Sequence, residues 1–97
     1  MKYTYTDKSK IHGTGIFSIE DIKKDEIIVP THFLYESRWW PTKDGYYNHS
    51  ENPNCKVITK NTVNLLVSIR DIKKYEELTA DYTKQSYLEQ PKEDWTI

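Results

Sequence analysis

The apolar residues of the chain fall into short segments with a two-residue periodicity, and this pattern constrains the fold most. Residues 27–29, 56–59 and 63–69 are rich in β-branched side chains and are bounded by polar or turn residues. Such segments are typical of half-buried strands, and no window shows the sustained stripe of an amphipathic helix. Asn61 and Thr62 separate two of the segments and are placed to close a hairpin. The sequence therefore predicts a mostly β fold of many short strands.

Two stretches of the chain resemble each other. Residues 18–28 read SIEDIKKDEII, and residues 68–78 read SIRDIKKYEEL. The shared Asp-Ile-Lys-Lys, with Glu two positions later, is typical of a strand, a tight polar turn and a second strand. With only two copies, we interpret the repeat as one turn chemistry used twice rather than as a solenoid.

Composition predicts one compact domain with a thin core. Of the 97 residues 36% are hydrophobic, and we expect the 8 Tyr, 3 Trp and 2 Phe to supply much of the buried volume. The net charge of −1 argues against a nucleic-acid binder, because such proteins carry a basic face. The single cysteine, Cys55, excludes an internal disulfide framework and a four-cysteine zinc site.

The polar start of the sequence and the length of its apolar runs indicate where the protein is located. No run approaches the roughly 18 apolar residues that a membrane helix needs. The polar start of the sequence lacks the apolar stretch of a signal peptide. We therefore expect a soluble intracellular protein, cytoplasmic or, in a eukaryotic host, nuclear.

Three polar segments are candidates for chemistry. The first, residues 12–17 (HGTGIF), lets backbone approach a ligand closely, although a plain turn between strands is the better explanation of a lone GxG. It lacks the third glycine of a dinucleotide fingerprint. The second, residues 48–55 (NHSENPNC), is dense in amide, imidazole and hydroxyl groups. The third, residues 76–82 (EELTADY), is a strand ending in an Asp-Tyr pair.

A zinc site is the alternative interpretation of the second segment. It would use His49 and Cys55, with His12 or His32 completing the set. That spacing fits no common zinc-ligand pattern, so we predict no metal site.

Taken in order, these segments resemble the SET-domain protein methyltransferases. The matching stretches are residues 10–17 with 21–22, residues 48–50 with 53–55, and residues 70–72 and 76–79 with 81–82. The resemblance covers roughly residues 10–83, so we expect a single minimal SET domain over residues 1–97 with a tail at 84–97. It implies several small curved β-sheets, with the Asn-His-Ser segment threaded under a C-terminal loop as a pseudoknot, a rare arrangement.

The same resemblance implies an activity: methyl transfer from S-adenosylmethionine to a lysine side-chain amine of a protein substrate. Tyr82 would be catalytic, and Tyr46 or Tyr47 would limit the number of methyl groups that fit. If these two adjacent residues lie on a strand, only one of them can line the site. The residues implied in cofactor binding are His12, Gly13, Thr14, Gly15, Asn48 and His49, with Trp95 as an aromatic lid.

The chain also departs from the family pattern. Few residues separate Gly15 from Asn48, so the insert that forms one wall of the substrate groove is reduced to about residues 35–44. Glu51 stands where many members have a cysteine, and no cysteine follows Cys55, so we expect no zinc-binding C-terminal module. Asp25 and Tyr75 occupy turn positions that usually carry glycine. A positive φ at Tyr75 would be strained.

Three functions compete at this point. The intact set of Asn48, His49 and Tyr82 favours an enzyme, because a decayed site has no need to retain all three. The reduced groove favours a catalytically inactive SET-fold protein-interaction module. A small β-protein that stacks on nucleic acid is the third candidate, and the net charge argues against it. For an enzyme, either a second subunit completes the groove, with Trp39 and Trp40 at a homodimer interface, or the substrate is recognised as a folded surface.

Overall fold

The computed structural model describes residues 4–84, which form two four-stranded β-sheets. A single turn of 3₁₀ helix, Tyr82–Lys84, is the only helix in that part of the chain. The mostly β prediction is therefore confirmed. The strands are β1 (Thr4–Lys8), β2 (Thr14–Ser18), β3 (Ile27–Tyr35), β4 (Arg38–Pro41), β5 (Asn48–His49), β6 (Cys55–Lys60), β7 (Val63–Ser68) and β8 (Glu77–Ala80).

The first sheet has the order β1-β2-β8-β5 and contains the candidate site residues. Its pairs are antiparallel except the last, in which the two-residue strand β5 runs parallel to β8. Asn48 lies opposite Thr79, and His49 lies opposite Ala80. This pairing brings the Asn-His-Ser segment against the end of β8, which is the contact that the expected pseudoknot requires.

The second sheet has the order β4-β3-β7-β6 and is antiparallel throughout. The hairpin of β6 and β7 closes at Asn61 and Thr62, as predicted, with φ of 56° at Asn61. The hairpin of β3 and β4 closes through Glu36 and Ser37, both at positive φ (49° and 64°), a backbone that suits the right-handed twist of paired strands.

The two copies of the repeat pair with each other. Ile22 and Ile72 form an isolated antiparallel bridge and exchange backbone hydrogen bonds of 2.8 and 2.7 Å. The aspartate of each copy accepts a backbone N–H from the other: Lys24 donates to Asp71 and Lys74 donates to Asp21, both at 2.8 Å. The repeated turn is confirmed, and its copies also join the two sheets through reciprocal contacts.

Both turns place a non-glycine residue in the left-handed region. The φ of Asp25 is 69° and that of Tyr75 is 70°. A left-handed conformation costs an L-residue about 1–2 kcal/mol. The strain expected at Tyr75 is therefore present, although its exposed ring contacts Tyr5 edge-on, at 6.3 Å between centroids.

The core is mainly aliphatic, which corrects the expectation that aromatic residues supply much of its volume. Tyr47 is the only aromatic side chain that is fully buried among residues 4–84. Aromatic and apolar side chains near the end of the β3–β4 hairpin are exposed, because β7 pairs with β3 only as far as Phe33. The buried apolar cluster comprises Ile16, Ile22, Ile28, Val29, Tyr47, Cys55, Leu66, Ile72, Leu78 and Ala80.

Candidate functional site

The glycine loop, residues 9–15, connects β1 to β2 and is organised by one serine. The backbone N–H of Ser9 donates to the carbonyl of Gly13 at 2.9 Å. The Ser9 hydroxyl accepts the N–H groups of Ile11 (2.8 Å) and His12 (3.3 Å). Gly13 has a φ of 49°, and a Cβ at this position would meet nothing within 4 Å, so glycine is favoured there by the backbone conformation and not by lack of space.

Asn48 fixes the glycine loop against the first sheet. Its Nδ2 donates to the carbonyls of His12 (3.0 Å) and Thr14 (3.3 Å), and to the carboxylate of Glu77 (2.8 Å). All three partners are acceptors, so only the amide nitrogen can face them. The Asn48 Oδ1 must therefore point away from these groups.

Glu77, at the start of β8, is the centre of this network and was not predicted as a site residue. Its carboxylate accepts the Ser9 hydroxyl, which lies 2.8 and 2.9 Å from the two oxygens, as well as the Asn48 amide. A Cβ at Gly15 would lie 2.8 Å from the Glu77 Cδ and closer still to Oε2. A side chain at position 15 would therefore displace the Glu77 carboxylate.

His49 links β5 to the segment that follows β8. Its buried ring accepts the backbone N–H of Tyr82 at Nδ1, at 3.0 Å. In the neutral ring, the proton therefore lies on Nε2. The carboxylate of Asp81 is 3.7 Å from Nδ1, and hydrogen bonds from Thr83 lower its pKa.

The phenol of Tyr82 points at the chain segment before β5. Its hydroxyl donates to the carbonyl of Tyr47, and the two rings meet edge to face with centroids 5.8 Å apart. Burial, and secondly the charge of Glu77, raise the pKa of Tyr82 to about 12. The phenol is therefore neutral near pH 7. Tyr47 contacts it, whereas the Tyr46 side chain is 67% exposed.

The second polar segment also contains purely structural groups. The Asn54 side chain donates to the carbonyl of Glu77 at 2.7 Å and accepts the N–H of Thr79 at 2.9 Å. It thereby satisfies the backbone of β8 in the manner of a neighbouring strand. Burial raises the pKa of the Cys55 thiol to about 12, so it is protonated and unsuited to act as a nucleophile.

The structure brings most of the expected site residues into one cluster. The backbone of the glycine loop, Asn48, His49 and Tyr82 are connected through hydrogen bonds and the β5–β8 pair. Trp95 lies outside the described residues. Ser9 and Glu77 are additions that carry no sequence pattern of their own, although Glu77 belongs to the quoted EELTADY segment.

Two further findings concern residues 4–84. No group of three or more His, Cys, Asp or Glu side chains in this part of the chain is arranged to hold a metal ion. Nor does it contain a helix with the length and apolar character needed to cross a membrane.

Comparisons with known proteins agree with this architecture. A family model described as SET domain matches residues 31–83. No curated protein sequence matches the chain. A crystal structure of a Plasmodium falciparum protein, provisionally named a histone methyltransferase, has a TM-score of 0.72 at 28% identity, and the match covers 91% of this chain and 99% of that one.

Structures of Polycomb Repressive Complex 2 from Chaetomium thermophilum share the fold. A complex with H3K27me3 and H3K27M has a TM-score of 0.70 at 21% identity, and the match covers 84% of this chain and 14% of that one. An autoinhibited form bound to S-adenosylmethionine has a TM-score of 0.68, also at 21% identity, and the match covers 15% of that chain. The chain thus corresponds to a small part of these proteins. Since the family model matches more than half of its residues, the chain belongs to the SET-domain family.

Proposed function

We propose that this chain is an S-adenosylmethionine-dependent methyltransferase that acts on a lysine side chain of a protein substrate. The observation that carries the proposal is the hydrogen-bonded cluster of the glycine loop, Asn48, His49 and Tyr82. The provisional name of the Plasmodium falciparum neighbour, a histone methyltransferase, supports a protein substrate.

The residues present fit S-adenosylmethionine, which carries an amino-acid group and a sulfonium cation. The Asn48 Oδ1 is turned away from the glycine loop and is able to accept a ligand N–H. Glycine at position 13 leaves the loop open to close approach. We assign ligand binding to the backbone of His12, Gly13, Thr14 and Gly15 and to Asn48 and His49; Trp95, the lid of the sequence-based hypothesis, remains part of the proposal.

When bound, S-adenosylmethionine would supply its methyl group to a neutral amine: the amine nitrogen bonds to the methyl carbon in line as the carbon–sulfur bond breaks and S-adenosylhomocysteine leaves. The protein mainly has to position the reactants, which can contribute about 7–11 kcal/mol. The substrate lysine must lose a proton from an ordinary pKa of about 10.4, and burial of its amine beside a cation lowers that value. Tyr82, with its pKa raised to about 12, stays protonated and orients the amine. The Tyr47 carbonyl holds the phenol in place.

A second candidate, a SET-fold interaction module, is favoured by the end of the β3–β4 hairpin. Phe33, Leu34, Tyr35 and Trp40 are all exposed there, on a hairpin whose outer strand, β4, is an edge of its sheet. Such a surface suits a protein partner, either the substrate or a second copy of the chain. Light scattering with and without S-adenosylmethionine measures whether the chain forms a homodimer. A monomer under both conditions would contradict the homodimer.

Calorimetric titration with S-adenosylmethionine tests the proposal. We expect saturable one-to-one binding, and Tyr82→Phe should bind equally while methyl transfer to lysine-containing proteins falls at least about 100-fold. Tyr75→Phe is the matched control, because its exposed ring lies in the turn before β8, outside the hydrogen-bonded cluster. Equal turnover by Tyr82→Phe would remove Tyr82 from catalysis. Binding without transfer to any protein would favour the interaction module.

A further inference from the structure

The carboxylate of Glu77 lies half-buried in the centre of the proposed cofactor site and is held by neutral groups. Its hydrogen-bond donors are the Ser9 hydroxyl and the Asn48 amide. No Lys or Arg between residues 4 and 84 forms an ion pair with it, whereas the adjacent Glu76 pairs with Arg70 at 2.7 Å. Placing a partly buried charge without a counter-charge is costly.

The site tolerates this cost by specific means. Gly15 lacks the side chain that would displace the carboxylate. Ser9 and Asn48 together provide donors to both of its oxygens. Glu77 and Tyr82 are held by neighbouring residues of β5, because Asn48 donates to Glu77 and the Tyr82 N–H donates to the adjacent His49. The charge of Glu77 also contributes to the raised pKa of Tyr82. A cation beside the Tyr82 hydroxyl would therefore be attracted to Glu77.

We infer that Glu77 is a positioning residue that also selects for charge: it orients the Asn48 amide, and its carboxylate makes the site prefer the sulfonium of S-adenosylmethionine over the neutral thioether of S-adenosylhomocysteine. The inference rests on the proposed function. It assigns to this chain a means of distinguishing the methyl donor from the spent product, which differ by one methyl group and one positive charge.

The experiment is calorimetric titration of the full chain with each of these two ligands. Glu77→Gln removes the charge but keeps an oxygen that accepts from Asn48 and an amide able to bond Ser9. We expect the dissociation constant of this variant for S-adenosylmethionine to rise about tenfold, and its dissociation constant for S-adenosylhomocysteine to change by at most about twofold. Glu77→Asp, which keeps the charge, should retain most of the preference. Glu36→Gln, an exposed residue in the β3–β4 turn, controls for net charge and should leave both affinities unchanged.

Thermal unfolding of each variant without ligand shows whether it is folded. If Glu77→Gln does not fold, the charge-preserving Glu77→Asp is compared with wild type at rising salt, where a charge preference declines. Equal losses for both ligands in Glu77→Gln, or a preference that salt does not reduce, would overturn the inference and leave the proposed function intact. Wild-type protein that binds neither ligand would overturn the proposed function and this inference with it.

Discussion

Gly15→Ala is expected to destabilise the fold through a single contact. The new Cβ would lie 2.8 Å from the Glu77 Cδ and 3.2 Å from the Asn48 Nδ2. The carboxylate would have to move, so its hydrogen bonds to Ser9 and Asn48 would be lost or lengthened. The contact is with the end of the flexible Glu77 side chain, so the cost arises from these lost hydrogen bonds rather than from a shift of the backbone.

The magnitude follows from those two bonds. A hydrogen bond to a charged group contributes about 1.5–3 kcal/mol, so both together give at most about 3–6 kcal/mol. Water can reach the half-buried Glu77 and form new hydrogen bonds to its carboxylate, which offsets part of the lost free energy. Alanine in a strand also recovers about 0.5–1 kcal/mol relative to glycine. We therefore expect a net loss of about 2 kcal/mol, or a fall in Tm of about 8–16 °C for a domain of this size.

Urea denaturation followed by tryptophan fluorescence measures this free energy in a double-mutant cycle. In a Glu77→Ala background only the 3.2 Å approach to Asn48 Nδ2 remains, so Gly15→Ala should cost much less than in the wild-type background. Gly13→Ala is the matched control: its Cβ meets nothing within 4 Å, and only the positive φ costs about 1–2 kcal/mol, in both backgrounds. An equal cost of Gly15→Ala in the two backgrounds would refute the role assigned to Glu77.

Other predictions follow from the same structure. Asn48→Ala should weaken S-adenosylmethionine binding at least about tenfold, and an unchanged dissociation constant in calorimetry would contradict its role. Burial lowers the pKa of His32, so the unfolded chain binds the proton more tightly and stability should fall as pH drops below about 6.5. Denaturation of His32→Gln should show less of this pH dependence. Asp25→Gly should stabilise by up to about 1 kcal/mol in the same assay, because glycine tolerates the φ of 69°. Since the pKa of Tyr82 is raised to about 12, methyl-transfer rates should not decline through its ionisation below about pH 11.

Local patterns were sufficient for the parts of the fold that depend on near neighbours. The β-branched segments at β3, β6 and β7 match strands, and the Asn61 turn joins two of them. The positive φ at Asp25 and Tyr75 agrees with the family resemblance, in which these turn positions usually carry glycine, and the local pattern alone did not predict it.

Contacts between distant segments were not predictable from pattern. Strand β5 has only two residues, and it forms because β8 offers a parallel partner to Asn48 and His49. Ser9 and Glu77 are distant in sequence, and a lone serine or glutamate has no periodicity to reveal their contact. Composition likewise could not show that the rings at Tyr35 and Trp40 project from a hairpin that extends beyond its sheet.

The structure changes how the intact motif should be interpreted. On sequence alone, the intact set of Asn48, His49 and Tyr82 favours an enzyme, because a decayed site has no need of all three. Each now has a structural reason to be present: Asn48 ties down the glycine loop, His49 accepts the N–H of Tyr82, and the Tyr82 hydroxyl donates to the Tyr47 carbonyl. The presence of the three residues therefore does not by itself separate an enzyme from an inactive module. The decision between methyltransferase and module therefore rests on titration with S-adenosylmethionine and on the transfer rate of Tyr82→Phe, compared with wild type at a temperature at which thermal unfolding shows both to be folded.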